Sequence, residues 1–214
     1  MKPKCVIFDC DGVLVDSVDL SINVLVKMAR AQGLDLKYNF AFERFGGSSL
    51  RSSFDYIEEQ TGKSLPKSSE DQYRKKTYEI FKKELKAIDG VHEALKRLHI
   101  PFCIASGGPP EKIKLNLTLT NLISYFEGRI FSSYEINSWK PDPGIFSHAA
   151  EKMGFRAVEC LVIEDSIDGV NAAMSGGFQV FGYVPSRERN NLSSFDIKLF
   201  HKMSRLPDLI LETE

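Results

Sequence analysis

Cysteine and histidine are scarce, and neither residue occurs in a pattern typical of a metal site. The four cysteines (Cys5, Cys10, Cys103 and Cys160) include no pair at C-x-x-C spacing. Zinc sites and disulfide frameworks depend on such regular spacing, so neither is expected. The four histidines are equally dispersed along the chain.

An excess of charge and a long apolar run are also missing. The formal net charge is −1, which predicts no long-range attraction to nucleic acid or to an anionic membrane. No window approaches the roughly 20 apolar residues that a membrane span needs, and the first strand follows two lysines without a signal-peptide core. We therefore expect a cytoplasmic protein without nucleic-acid or membrane partners. Its near-neutral charge is compatible with a monomer or a weak homodimer.

The sequence alternates between short apolar runs and amphipathic segments. Apolar runs with strand character occupy residues 5–8, 101–105, 129–132, 160–164 and 179–183. Helical periodicity is clearest at residues 91–98, 111–119, 143–153 and 168–175. This alternation predicts an α/β fold in which helices cover both faces of a parallel sheet.

Residues 16–87 interrupt the alternation. They contain no convincing strand and three amphipathic segments, at about 18–33, 48–61 and 69–85. The turn at Asp89 and Gly90 then starts another helix and returns the chain to the alternating pattern. The 214 residues are enough for a domain with a sizeable insertion. We therefore predict an α/β core of residues 1–15 and 88–214 and a helical cap of residues 16–87.

Acidic and hydroxyl side chains follow three of the predicted strands. Asp9 and Asp11 come after the first strand, Ser106 follows the second, and Glu164 and Asp165 end a later one. In an open α/β sheet, ligands bind beyond the carboxyl ends of the strands. If these strands are neighbours, their oxygen ligands suit a hard divalent cation such as Mg²⁺.

A lysine supplies the expected counter-charge. Lys140 lies in "SWKPDPGIF", where two prolines favour a fixed loop that opens a helix. A lysine near carboxylates and a metal fits a phosphate site, to which Ser106 and the amides near Gly107 can also donate. Taken singly, each motif has an ordinary alternative: capping aspartates, a loop lysine or a turn. Their order at successive strand ends favours the phosphate site.

The sequence resembles the haloacid dehalogenase (HAD) superfamily of phosphohydrolases in four motifs. They are "DCDGVLVDS" at 9–17, "IASGG" at 104–108, "KPDP" at 140–143 and "IEDSIDGVNAA" at 163–173, in the expected order. The resemblance implies a Rossmann-like parallel-sheet core with an inserted α-helical cap domain. It also implies Mg²⁺ as the cofactor and a small phosphorylated metabolite as the substrate.

The same resemblance implies roles for the acidic residues. Asp9 would take the phosphoryl group as the nucleophile, and Asp11 would act as the general acid and then the general base. Mg²⁺ would be held by Asp9, the backbone carbonyl of Asp11 and Asp165, with Glu164 acting directly or through water. Dehalogenases of the superfamily generally lack the second aspartate, so Asp11 indicates phosphoryl chemistry.

The transferring phosphoryl group would be held by residues of the second and third motifs. By the same resemblance these are Ser106, Gly107 and Lys140. Lys140 and the metal would offset the repulsion between an anionic nucleophile and an anionic phosphoryl group.

The cap segment "ERFGGSSLRSSF" at 43–54 bears on the substrate. In β-phosphoglucomutases the corresponding loop carries lysine and arginine for a second phosphate, whereas this chain has Gly46 and Leu50 there. Ser21 stands where mutases commonly have a histidine. Arg44 and Arg51 are candidates for binding an anionic substrate, although either could equally be a surface arginine.

These departures from the mutase pattern favour net hydrolysis. The region "PFCIASGGPPEKIKLNL" also resembles bacterial sugar-phosphate phosphatases, a subgroup that includes 6-phosphogluconate phosphatase. We therefore predict a Mg²⁺-dependent phosphatase of a small phosphorylated sugar or sugar acid, with 6-phosphogluconate as a candidate and an aspartyl-phosphate intermediate. The alternatives are a β-phosphoglucomutase-type isomerase and a non-catalytic phosphate-binding protein.

Overall fold

A six-stranded parallel sheet forms the centre of the computed structural model, which describes residues 2–185 and 192–213. In chain order the strands are β1 (Cys5–Phe8), β2 (Phe102–Ser106), β3 (Ile130–Ser132), β4 (Cys160–Glu164), β5 (Gln179–Tyr183) and β6 (Lys198–Phe200). Across the sheet the order is β3-β2-β1-β4-β5-β6, and every neighbouring pair is parallel. The predicted α/β fold is confirmed, and the five predicted strands correspond to β1 to β5. The short β6 has no counterpart among them.

Helices connect the strands and cover the sheet. They are α1 (Val18–Ala31), α2 (Tyr38–Phe45), α3 (Leu50–Thr61), α4 (Ser69–Glu84), α5 (Val91–Arg97), α6 (Pro110–Leu119), α7 (Ser133–Ile136), α8 (Gly144–Met153), α9 (Ile167–Ser175) and α10 (Leu206–Leu211). None of the helices in the described ranges is long and apolar enough to cross a membrane.

The central strand β1 is buried because its residues alternate between two apolar clusters. Val6 and Phe8 belong to the cluster on one side of the sheet. Cys5 and Ile7 belong to the cluster on the other side, together with Phe146 of α8. A strand that is apolar at every position therefore requires helices on both faces, which is what the alternation predicted.

A third apolar cluster lies among α1 to α4. Its buried members include Leu25 of α1, Phe45 of α2 and Ile57 of α3. These four helices occupy residues 16–87 between β1 and β2, and α2 is an addition to the three predicted segments. The division into a core of residues 1–15 and 88–214 and a cap of residues 16–87 stays a prediction.

The register of the central strands brings the site motifs to one edge of the sheet. Phe8 is paired with Ile104 of β2 and with Ile163 of β4. The Asp9 amide continues this alignment by donating to the Ile163 carbonyl at 3.0 Å. Residues just beyond these positions therefore meet at the carboxyl edge, where α/β sheets bind ligands.

Candidate active site

Lys140 lies between two carboxylates at this edge. Its Nζ donates to Asp9 Oδ1 and to Glu164 Oε1, both at 2.5 Å, and its side chain is 5% exposed. Burial alone would lower the pKa of Lys140, but Asp9 and Glu164 raise it above the ordinary lysine value. The lysine therefore stays charged and provides the counter-charge that the acidic motif requires.

Glu164 is fully buried behind Lys140 and does not line the cavity at the sheet edge. Its Oε2 accepts hydrogen bonds from the amides of Asp165 and Ser166, at 2.9 and 3.0 Å, and from Ser166 Oγ at 3.0 Å. Gly169 makes room for this carboxylate, because a Cβ at that position would overlap it. In this arrangement Glu164 orients Lys140, and direct contact with a metal would require it to leave these partners.

Asp11 is held by side chains from α6 and from the start of α1. Lys112 Nζ donates to its Oδ2 at 2.7 Å, while Asn116 Nδ2 and Ser17 Oγ donate to its Oδ1 at 3.3 and 2.5 Å. Burial alone would raise the pKa of Asp11, but Lys112 and Ser17 lower it below the ordinary aspartate value. Sequence reasoning missed these partners. Lys112 and Asn116 are four residues apart on one face of α6, and that spacing does not reveal which residue the face meets.

Asp165 approaches the loop after β1 because Gly12 has no side chain. Gly12 has a φ of +87°, and a Cβ there would overlap Asp165 Oδ2. Burial, followed by the charges of Glu164 and Asp9, raises the pKa of Asp165 well above its usual range. Burial and Glu164 also raise the pKa of Asp9 to about 7, although Lys140 opposes the shift. The site thus holds more negative charge than its lysines neutralise.

This charge balance and the donor atoms fit a divalent cation. Four carboxylates meet two lysines, so the lysines can neutralise only two of them, and the pKa values of Asp9 and Asp165 are raised accordingly. Within residues 2–185 and 192–213, no three acidic, histidine or cysteine side chains converge as a metal site. The predicted set consists of the Asp9 and Asp165 carboxylates and the backbone carbonyl of Asp11, with Glu164 acting directly or through water, and the first three supply three oxygens without Glu164. These residues therefore fit Mg²⁺, which takes few protein oxygens and completes its shell with water and phosphate.

Ser106 and Gly107 line the same cavity at the end of β2. Ser106 Oγ accepts a hydrogen bond from the Gly108 amide at 3.1 Å, and Ser132 Oγ donates to the Gly108 carbonyl at 2.7 Å. These bonds fix the loop that leads into α6. The structure thus brings together, around one cavity, the predicted residues Asp9, Asp11, Ser106, Gly107, Lys140 and Asp165.

Arg44 and Arg51 do not line this cavity. The Arg44 guanidinium lies over the Tyr56 ring at 5.5 Å, and Arg51 pairs with Asp55 on the exposed side of α3 at 2.5 Å. Both arginines are engaged away from the cavity, so their placement does not support the prediction that they bind substrate. Among the residues that the structure describes, the cations that line the cavity besides Lys140 are Arg74 of α4 and Lys112 of α6.

Comparison with known proteins identifies the family. Residues 3–177 match the model of the haloacid dehalogenase-like hydrolases. The chain belongs to this family. The matched region contains all four motifs, so the resemblance on which the site residues were predicted is confirmed at the level of the family.

This HAD-like hydrolase has relatives over nearly its whole length. It is 32% identical to 6-phosphogluconate phosphatase of Escherichia coli (strain K12), with 96% of this chain and 94% of that protein covered. It is 29% identical to phosphorylated carbohydrates phosphatase of Thermotoga maritima, with 86% of each covered. A haloacid dehalogenase-like protein of Agrobacterium tumefaciens strain C58 has a TM-score of 0.84 at 30% identity, with 98% of each chain covered. These similarities confirm the predicted Rossmann-like fold and the predicted enzyme class, a phosphoric monoester hydrolase.

Proposed function

We propose that this HAD-like hydrolase is a Mg²⁺-dependent phosphatase of a small phosphorylated sugar or sugar acid. The observation that carries the proposal is the convergence of Asp9, Ser106 and Lys140 on one cavity beside Asp165. The names of two relatives, a 6-phosphogluconate phosphatase and a phosphorylated carbohydrates phosphatase, support the substrate class. The first candidate substrate is therefore 6-phosphogluconate.

In the first step, Asp9 attacks the phosphorus atom of the substrate. One carboxylate oxygen of Asp9 bonds to phosphorus while the phosphorus–oxygen ester bond breaks, which gives an aspartyl phosphate on Asp9. Ser106 and Lys140 hold the phosphoryl oxygens, and the Lys140 charge offsets the repulsion between nucleophile and phosphoryl group. The leaving sugar oxygen takes a proton from Asp11, which can carry that proton only after it has left Lys112, because contact with Lys112 lowers its pKa.

In the second step, a water molecule hydrolyses the aspartyl phosphate. Asp11 accepts a proton from that water, whose oxygen bonds to phosphorus as the bond to Asp9 breaks. To act in both steps, Asp11 has to turn from Lys112 towards the cavity. Mg²⁺ held by Asp9, the Asp11 carbonyl and Asp165 would supply positive charge to the phosphoryl oxygens.

Three cavity positions favour hydrolysis over isomerisation. Ser21, Gly46 and Leu50 all line the cavity. These are the positions that resemble the histidine and the phosphate-binding loop of β-phosphoglucomutases, and here they carry no positive charge. A mutase has to retain a bisphosphate between its two half-reactions. Because these three positions carry no cation to bind a second phosphate, they favour release of inorganic phosphate.

The proposed partner is the small metabolite alone. The net charge of −1 gives no long-range attraction to nucleic acid or to an anionic membrane. A monomer or weak homodimer in the cytoplasm remains part of the proposal, and sedimentation at micromolar concentration would measure the oligomeric state.

Phosphate release tests the proposed activity. We would assay a phosphosugar panel with Mg²⁺ or EDTA, using the wild type, Asp9→Asn and the exposed control Asp71→Asn. We expect Mg²⁺-dependent release that Asp9→Asn abolishes and Asp71→Asn leaves unchanged. Release by Asp9→Asn at the wild-type rate would exclude Asp9 as the nucleophile. Rates on phosphosugars no higher than those on an aryl phosphate would exclude the substrate class.

A further inference from the structure

We propose that Lys112 is a second lysine for the phosphoryl group, and that it exchanges partners when the substrate binds. In the free enzyme Lys112 pairs with Asp11, and in the complex it pairs with a phosphoryl oxygen, which releases Asp11 to act as general acid and general base. The inference rests on the proposed phosphatase function and makes it more specific, because it assigns a phosphoryl-binding role to a residue outside the four sequence motifs.

Both carboxylate oxygens of Asp11 are occupied in the structure. Lys112 Nζ donates to Oδ2 at 2.7 Å, while Ser17 Oγ and Asn116 Nδ2 donate to Oδ1 at 2.5 and 3.3 Å. In the proposed reaction Asp11 turns away from these donors twice, first to protonate the leaving oxygen and then to accept a proton from water. Each turn separates Lys112 from its carboxylate.

Lys112 depends on that carboxylate more than Lys140 depends on either of its own. Among the residues that the structure describes, Lys112 is in ion-pair contact with Asp11 alone, whereas Lys140 contacts both Asp9 and Glu164. Lys140 therefore stays paired with Glu164 while Asp9 carries the phosphoryl group. The Lys112 side chain is 18% exposed, so water replaces little of its lost contact. A largely buried ammonium group needs a new anionic partner, because an unpaired buried charge is strongly destabilising.

The phosphoryl group is the anion that is present each time Asp11 turns. It belongs to the substrate in the first step and to the aspartyl phosphate in the second. Any other anionic group of the substrate leaves with the sugar after the first step. A phosphoryl oxygen is therefore the partner that serves Lys112 throughout the reaction, and lysine binds phosphate well as a point charge.

The path of the Lys112 side chain leads to the same region of the cavity as Ser106. A Cβ at Gly108 would lie 3.4 Å from Lys112 Cδ and 3.5 Å from Ser106 Oγ, so the two side chains flank one point just before α6. Both also line the cavity that contains Asp9. Because Ser106 is a predicted phosphoryl-binding residue and Nζ lies only two bonds beyond Cδ, the ammonium group needs a short movement to change partners.

A double-mutant cycle on the binding of inorganic phosphate tests the exchange. Calorimetry with Mg²⁺ present would compare the wild type, Asp11→Asn, Lys112→Met and the variant with both substitutions. Asp11→Asn frees Lys112 from its carboxylate, so phosphate should bind about tenfold more tightly, the effect of one charge-assisted hydrogen bond. In the Lys112→Met background there is no lysine to free, so Asp11→Asn should strengthen binding much less. An equal effect in both backgrounds would overturn the inference, because Asp11 would then simply repel phosphate.

Two further variants and a stability measurement separate binding from folding. The variant with both substitutions lacks the carboxylate and the ammonium together, so it leaves neither charge unpaired, and its urea midpoint is measured beside its affinity. Lys114→Met removes an exposed lysine from the same helix and should leave phosphate affinity unchanged. Lys112→Arg keeps the positive charge and should retain part of the affinity. A loss in Lys114→Met as large as that in Lys112→Met would overturn the inference, because any charge on α6 would then serve.

Turnover shows whether Lys112 meets the phosphoryl group or the sugar. The kcat/KM of Lys112→Met should fall on an aryl phosphate as well as on a sugar phosphate, because both compounds contain the phosphoryl group. A fall confined to the sugar phosphate would overturn the inference. Failure of the proposed phosphatase function would look different: the wild type would release phosphate from no compound, while the calorimetric cycle, which needs no turnover, would still decide whether Lys112 exchanges partners.

Discussion

At the scale of single residues, the site depends on the two carboxylates that hold Lys140 in place. The lysine contacts one carboxylate that faces the cavity, that of Asp9, and one that is buried, that of Glu164. The second oxygen of Glu164 is fully occupied by three donors from residues 165 and 166. Glu164 therefore acts as a fixed anchor, from which Lys140 reaches the nucleophile.

Glu164→Gln tests this anchor. The glutamine amide keeps one oxygen, which still accepts the hydrogen bonds from residues 165 and 166. Its NH₂ group faces Lys140 and cannot pair with it, so Asp9 becomes the remaining carboxylate partner of the lysine. Breaking a buried pair in this way costs about 3 kcal/mol of unfolding free energy. We expect that loss in urea titrations at pH 7, together with slower phosphate release. The control is the exposed Glu151→Gln, which should change stability by less than about 0.5 kcal/mol. Equal stability of the two variants would contradict the anchor.

Gly12→Ala tests the approach of Asp165 to the first motif. An alanine at this φ of +87° is strained by about 1 to 2 kcal/mol, and its Cβ overlaps Asp165 Oδ2. Gly62→Ala is a matched control, because Gly62 has a φ of +65° with nothing within 4 Å of its Cβ. Gly12→Ala should lose more stability than Gly62→Ala because of the overlap, and only Gly12→Ala should raise the Mg²⁺ concentration that gives half-maximal phosphate release. An unchanged Mg²⁺ requirement would argue against Asp165 as a metal ligand.

Residues next to strand ends could be predicted from sequence, and residues on distant helices could not. Asp9, Ser106 and Asp165 each lie directly at a strand end, so the sheet alone brings them together. Lys112 meets Asp11 across 101 positions of sequence, and Arg74 reaches the cavity from α4. Their contacts depend on how α4 and α6 pack against the sheet edge. A local pattern does not contain that information, and it indicates instead Arg44 and Arg51, which lie within the cap segment 43–54.

At the scale of secondary structure, the start of α9 is tied to the site through one hydroxyl. Ser166 is the N-cap of α9, and its Oγ accepts from the Gly169 amide at 3.1 Å. The same Oγ donates to Glu164 Oε2 at 3.0 Å. The cap that begins the helix therefore also fixes the buried carboxylate behind Lys140.

Ser166→Ala tests this double role against a simple cap. Ser49 is the N-cap of α3, and its Oγ accepts from the Ser52 amide at 3.1 Å. Ser49→Ala should cost about 1 kcal/mol of unfolding free energy, the usual value of a cap. Ser166→Ala should cost about 2 kcal/mol, because a buried carboxylate also loses a donor. Urea titrations of both variants measure the difference, and equal losses would show that Ser166 acts as a cap only.

Strongly patterned elements were predictable, and weakly patterned ones were not. β4 and β5 begin and end at the predicted residues because each is an unbroken apolar run between turn signals. β6 has three residues with one of them exposed, and α2 is an eight-residue helix rich in aromatic side chains. Neither is long enough to show a clear period. Their conformation is set by neighbours, β5 for the strand and α1 for the helix.

At the scale of the whole molecule, Glu159 connects the start of the chain to the amino-terminal edge of the sheet, at the opposite end of β1 and β4 from the site. Glu159 accepts from Lys4 Nζ at 2.8 Å, just before β1, and from the Arg156 amide at 3.0 Å, just before β4. The hydrogen bonds from Lys4 and then Arg156 lower the pKa of Glu159 from its ordinary 4.5 to about 2. The two central strands thus enter the sheet beside the same carboxylate.

This low pKa predicts how stability depends on pH. Because the pKa in the folded protein lies below the ordinary value, Glu159 stabilises the fold fully above about pH 4.5, and this stabilisation is lost as the pH falls towards 2. The urea midpoint of Glu159→Gln should therefore lie below that of the wild type at pH 7, and the two should converge near pH 2. Glu151→Gln, at an exposed position, should follow the wild type throughout. If the difference in urea midpoint between the wild type and Glu159→Gln were equally large at pH 2, the charge of Glu159 would contribute nothing to stability. Its packing and hydrogen bonds alone would then stabilise the strands.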